Sequence, residues 1–174
     1  MKEFGKFFWR ITSCHIITYF FAGILAYGFL NYKDLFSSPP FSYFMRSPRD
    51  PIISLGPAFQ IIRGGIFTIA LWPFRKIVLQ TKYGWLKLWG LLLGLSILST
   101  ASPAPGSIEG FIYTTLPVAK QVIGYLELVP QTLLFSLMVY YWYQRQGKAW
   151  NAISIILVTV IVLMSITGFL IQAK

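Results

Sequence analysis

Residues Leu55 to Trp72 read LGPAFQIIRGGIFTIALW, an apolar run with a permanently charged side chain, Arg63, near its centre and two glycines directly after it. A helix crossing a bilayer needs roughly 20 mostly apolar residues, so the run predicts a membrane span. A guanidinium inside such a span requires an internal partner, a water-filled cavity or a route to the headgroups. The length of the run therefore speaks to the fold class, and its single charge to the candidate site.

The rest of the chain agrees with a membrane environment. Of the 174 residues, 56% are hydrophobic and 11% charged, whereas a soluble domain carries about 25% charged residues. Four further apolar runs flank the first. The expected architecture is all-α: a polytopic bundle of five spans at about 11–31, 53–74, 84–100, 121–143 and 152–171, forming one integral membrane domain over 1–174. The run beginning at Ile11 exceeds a signal-peptide h-region, so a retained span is expected there.

Between the third and fourth spans, Pro103, Pro105 and Gly106 precede Ser107-Ile108-Glu109. Ser107 is placed to cap a short helix, and Glu109 then falls in its first turn near the positive end of the helix dipole. A short outer interfacial helix is predicted. The connection 32–50 contains Pro39, Pro40 and Pro48 together with Phe36, Phe41, Tyr43 and Phe44, a composition suited to a loop lying on the membrane surface.

Net charge is +10, from 15 Lys and Arg against five Asp and Glu. The basic residues fall at the ends of the spans, which gives the charge a topological meaning and argues against nucleic acid as a partner. With the N-terminus cytoplasmic, nine basic residues lie inside and five outside, leaving Arg63 aside, and the C-terminus is on the opposite side. All six tryptophans fall at or near inner ends: Trp9, Trp72, Trp85, Trp89, Trp142 and Trp150. Membrane lipid is the expected surrounding partner. A homo-oligomer or a larger membrane complex is also expected, since five helices make a small self-contained transporter and Gly90-x-x-x-Gly94 is a spacing that lets helices approach closely.

The candidate site is outward-facing and polar. At 1.5 Å per residue, Arg63 lies about 15 Å and Glu127 about 9 Å below the outer ends of their spans. An ion pair between them is predicted, with Gln60 one turn above Arg63, Gln131 one turn below Glu127 on the same face, and Glu109 as a third charged group. The site residues are thus Gln60, Arg63, Glu109, Glu127 and Gln131. Such a cluster would bind a polar or anionic ligand or conduct ions or protons; alternatively, it would lock the helices of an assembly subunit. An intramembrane enzyme using Glu109 and Glu127 as acid and base is a third reading, but nucleophile and metal motifs are missing and the expectation is non-enzymatic. Cys14 stands alone and His15, placed about one turn from the inner end and far from Arg63, has no second histidine, so neither a metal nor a cofactor is expected.

Overall fold

The computed structural model describes residues 2–98, 103–145 and 147–173. The predicted end of the third span, residues 99 and 100, and the basic Lys174 lie outside them. Among the described residues all regular structure is helical, without strands, and four helical stretches are long and apolar enough to cross a membrane.

The first is α1 (Lys2–Phe29). It begins nine residues before the expected start at Ile11, and its 28 residues make it about 42 Å long. That exceeds a hydrocarbon core of roughly 30 Å, so its basic first turns reach headgroup level. It stops at Asn31, which takes a left-handed φ of 48°, a conformation asparagine tolerates better than most residues. Every residue from Arg10 to Thr18 is buried. No amphipathic stripe gives that pattern; α1 is the central helix, enclosed on all sides at this level.

After α2 (Tyr32–Ser37) and two short 3-10 turns comes α3 (Gly56–Leu71), which runs unbroken through Gly64 and Gly65. The paired glycines serve close contact with α1. A Cβ at Gly64 would lie 2.8 Å from the Thr12 Cα, so only glycine lets the two backbones approach this closely. The short α4 (Arg75–Leu79) leads into α5 (Gly84–Leu98), a largely apolar helix of 15 residues, shorter than the other four stretches. Gly90 and Gly94 on α5 face open space.

The next connection folds as its residues predict. Ser107 Oγ accepts from the Gly110 N–H at 2.9 Å and caps α6 (Ile108–Tyr113), with Glu109 in the first turn. The span expected from 121 starts earlier, as α7 (Val118–Val122), and after a turn continues as α8 (Tyr125–Gln144). Gln121, the expected first residue of that span, instead ties the preceding loop together: it accepts from the Gly106 N–H and donates to the Leu116 carbonyl. Last comes α9 (Lys148–Gln172), buried only along Ser154, Val158, Ile161 and Ser165, one helical stripe facing its neighbours.

Helices α3, α8 and α9 all pack on α1, and α5 packs on α8. Packing is tightest toward the end that carries the N-terminus. There Phe7, Ile11, Cys14, Leu71, Leu88, Phe135, Val139 and Trp142 form one core, with Ile16, Ile17, Val158 and Ile161 beside it. Beyond Thr18, Ala26 is the one further residue of α1 that is buried. The bundle is closed at one end and opens toward the other.

Candidate functional site

His15 sits at mid-helix on α1 because that helix starts at Lys2, and there it meets Gln60 of α3. The Gln60 Nε2 donates to the Gly56 carbonyl at 3.0 Å, leaving its Oε1 to accept. His15 Nε2, 2.9 Å from that Oε1, is therefore the donor and carries the ring proton. Phe67 and Phe135 meet the imidazole edge-on, with centroids at 4.9 and 5.9 Å. The expectation that His15 lies far from the Arg63 region is corrected: it is joined to one of the predicted site residues. The shift follows from the extra turns of α1, which place the histidine deeper than a start at Ile11 implies.

Arg63 and Glu127 do not pair. The one ion pair among the described residues is Arg46 with Asp50, at 2.8 Å in the far-end loop. Arg63 lies on the exposed side of α3, its guanidinium 5.7 Å from the Phe67 ring centroid. Glu127 is half-buried, and its Oε2 accepts a short hydrogen bond from the Tyr32 hydroxyl. The physical reason is the placement of α1: α3 and α8 each pack along it, and Tyr19 of α1 stands within electrostatic reach of both charges. Similar depth in two helices is no guarantee of facing sides. Glu109, half-buried on α6, makes neither a hydrogen bond nor an ion pair among the described residues.

Glu127 and Gln131, one turn apart on α8, stay together as their spacing implies. Both line a groove of about 290 Å³ between α1 and α8, on the open half of the bundle. Its walls are apolar, with Phe21, Leu25, Phe29 and Leu134 prominent, and the small Ala22 and Ala26 form its floor on α1. Pro130 also lines it. Having no N–H, Pro130 cannot donate to the carbonyl of Leu126 one turn back, so that carbonyl lacks its usual helical partner. The polar side chains of the groove are a carboxylate and an amide, the first an acceptor and the second both donor and acceptor.

Nothing local in the sequence marks Tyr32; it follows the end of α1 and reaches Glu127 across 95 positions. Burial, then the hydrogen bond to Glu127 and its charge, push the Tyr32 hydroxyl well above its ordinary pKa, so it remains a donor throughout the ordinary pH range. Arg10 was read only as a topological charge, yet it is buried against Trp142 and Tyr143. Its spacing from Glu3 and Lys6, at seven and four residues, was the available signal, since these positions share one helical face.

Four helices long and apolar enough to cross a bilayer, in a chain whose described residues form helices and no strands, suggest the class of multi-pass membrane proteins. No protein-family model, curated protein or solved structure matches the chain.

Proposed function

We propose that this is a non-enzymatic, five-span membrane protein that binds an amphiphile in the groove between α1 and α8. The observation that carries this reading is the groove itself, an apolar trough in which Glu127 and Gln131 are the two polar side chains. An acyl-like chain suits the walls, and a head that donates hydrogen bonds or carries positive charge suits the carboxylate. The expectation of a polar or anionic ligand gives way to a polar or cationic head, because Arg63 is not in the groove. Conduction of ions or protons gains nothing from the geometry.

The fifth crossing rests on α5. Its start lies beside the last turns of α8, where a Cβ at Gly84 would be 3.2 Å from the Tyr140 ring. The segment after it returns to the opposite end of α8, where the Tyr125 hydroxyl donates to the Gly106 carbonyl. A chain that accompanies a spanning helix from one end to the other crosses with it. With five crossings and the basic N-terminal end cytoplasmic, the C-terminus is on the opposite side.

The test uses purified protein in mild detergent with two probes of equal chain length, dodecylamine and dodecanoate, counted on the folded protein by native mass spectrometry. Wild type is expected to retain the amine in preference to the carboxylate. Glu127→Gln is expected to weaken amine retention about tenfold, as loss of a charge-assisted contact does, and Ala22→Trp to block both by filling the floor. Equal retention of both probes by all three proteins would sink the reading.

A second reading, an assembly subunit, is favoured by a different observation. Arg63 shares the exposed side of α3 with Phe59, Ile62 and Ile66 and has no acidic partner among the described residues. In that reading a carboxylate on another subunit neutralises it. Complexes extracted from native membranes should then be smaller for Arg63→Ala than for wild type, with the isolated chain equally stable; unchanged size rejects it.

A further inference from the structure

A second cavity, of about 450 Å³, lies at the closed, N-terminal end of the bundle, on the opposite side of the core from the groove. Lys6, Arg10, Arg75 and Lys76 line it, against one carboxylate, Glu3. Four cations against one carboxylate leave a surplus of three positive charges around one hollow, which repel one another unless a further anion sits among them.

Arg10 is the decisive member. It is 8% exposed, its guanidinium 5.7 Å from the Trp142 ring centroid and 5.2 Å from that of Tyr143. Its Nε is fully buried without a hydrogen-bond partner, and no acidic group is within ion-pair distance of it among the described residues. Buried arginines are ordinarily paired, because an unpaired charge away from water is costly. The two aromatic rings hold the guanidinium plane in place without neutralising it. Tyr143, a member of the same wall, turns its hydroxyl toward Gln80 as an acceptor at 3.0 Å. Arg75 is likewise held in place, donating to the Trp72 carbonyl at 2.9 Å and stacking on the Trp72 ring at 3.9 Å. Two guanidiniums are thus positioned by aromatics, with two flexible lysines at the rim.

We propose that this cavity is a phosphate-binding site, in which the Arg10 and Arg75 guanidiniums engage a phosphate oxygen set and Lys6 and Lys76 complete the neutralisation. The chemistry matches: guanidinium forks suit tetrahedral oxyanions and ammonium groups supply point charge. The level matches too, because Trp9, Trp72 and Trp142 cluster at this end and tryptophan marks the interface where headgroup phosphates lie. The phosphate belongs either to an anionic lipid headgroup or to a free phosphate compound, and the same residues would serve both.

The full chain is reconstituted in phosphatidylcholine nanodiscs doped with phosphatidylglycerol, and lipids retained after release are counted by native mass spectrometry. In parallel, inorganic pyrophosphate is titrated against the detergent-solubilised protein, with thermal unfolding as the readout. Arg10→Gln removes the buried guanidinium; because it risks the fold, the exposed pair Lys6→Gln with Lys76→Gln serves as the second variant. One saturable phosphatidylglycerol per chain, weakened about tenfold or more by the rim variant and untouched by pyrophosphate, identifies a headgroup site. Stabilisation by pyrophosphate, lost in the same variants and in high salt, identifies a soluble phosphate compound. If wild type and rim variant retain phosphatidylglycerol equally and neither responds to pyrophosphate, the proposal is overturned.

Discussion

Gly64 of α3 rests directly on Thr12 of α1: a Cβ built on the glycine would lie 2.8 Å from the Thr12 Cα and 2.9 Å from its Oγ1 and Cγ2. Backbone cannot rotate away as a side-chain tip can, so Gly64→Ala must push the two helices apart. The expected loss is about 1 to 3 kcal/mol, typical of overpacking. Gly65→Ala is the control, since its new methyl would meet only the Phe8 ring edge at an ordinary 3.5 Å. Thermal unfolding in detergent should separate the two variants; similar midpoints would show that the helices do not meet this way.

The His15 to Gln60 bond makes a second prediction. Gln60→Leu leaves the His15 Nε2–H buried without its acceptor, and His15→Leu leaves the amide half-used. Interhelical hydrogen bonds in membranes couple by about 0.6 to 2 kcal/mol. A double-mutant cycle should find a coupling of that order, with the double variant more stable than the sum of the single losses implies. A coupling of zero would mean that the two side chains do not meet.

Asp50 gives a pH dependence of defined sign. A hydrogen bond from Arg46 and then the backbone N–H of Ile52 hold its carboxyl below the usual carboxylate range. A depressed folded pKa means that the contribution is fully present above the ordinary value of about 4 and is lost as pH falls through the lower folded value. Because the pair is in the exposed loop, the effect is small and weakens with salt. Carboxyl carbon shifts followed by NMR should show the Asp50 midpoint rising toward the ordinary range in Arg46→Gln. An unmoved midpoint would remove Arg46 as the cause.

The span count has a direct readout at the chain ends. If α5 crosses the bilayer, a reporter fused after Lys174 lies on the side opposite to one fused before Met1. If α5 turns back, both lie on the same side. Paired cytoplasmic and extracytoplasmic reporters decide between the two, and a shared side would overturn the five-span reading. At 15 residues α5 is about 22 Å long, short of a hydrocarbon core of roughly 30 Å, which is why its crossing is the one to test.

Local properties of the chain transmitted well into structure. Apolar run length located four long helices and the shorter α5, and prolines and Ser107 marked helix starts, whereas the glycine pair after Arg63 allowed either a kink or a close helix contact and only the structure shows the contact. Each depends on a few neighbouring residues and adds along the chain. The exact start of α1 was less legible, because Lys2, Lys6 and Arg10 lower the hydropathy of turns that are nonetheless helical. That displacement of nine residues carried His15 from the expected interface to the middle of the bundle.

Sequence by itself determined that the chain is built from helices apolar enough to cross a membrane and that the few polar residues within them are the places to look. Only the tertiary structure decided which of them meet. Glu127 goes to Tyr32, Gln60 to His15, Arg63 to an exposed face, and Arg10 into a basic cavity. Depth along a helix follows from counting residues, but the direction a side chain faces depends on how α3 and α8 are arranged around α1, and that arrangement is set by contacts between residues far apart in the chain.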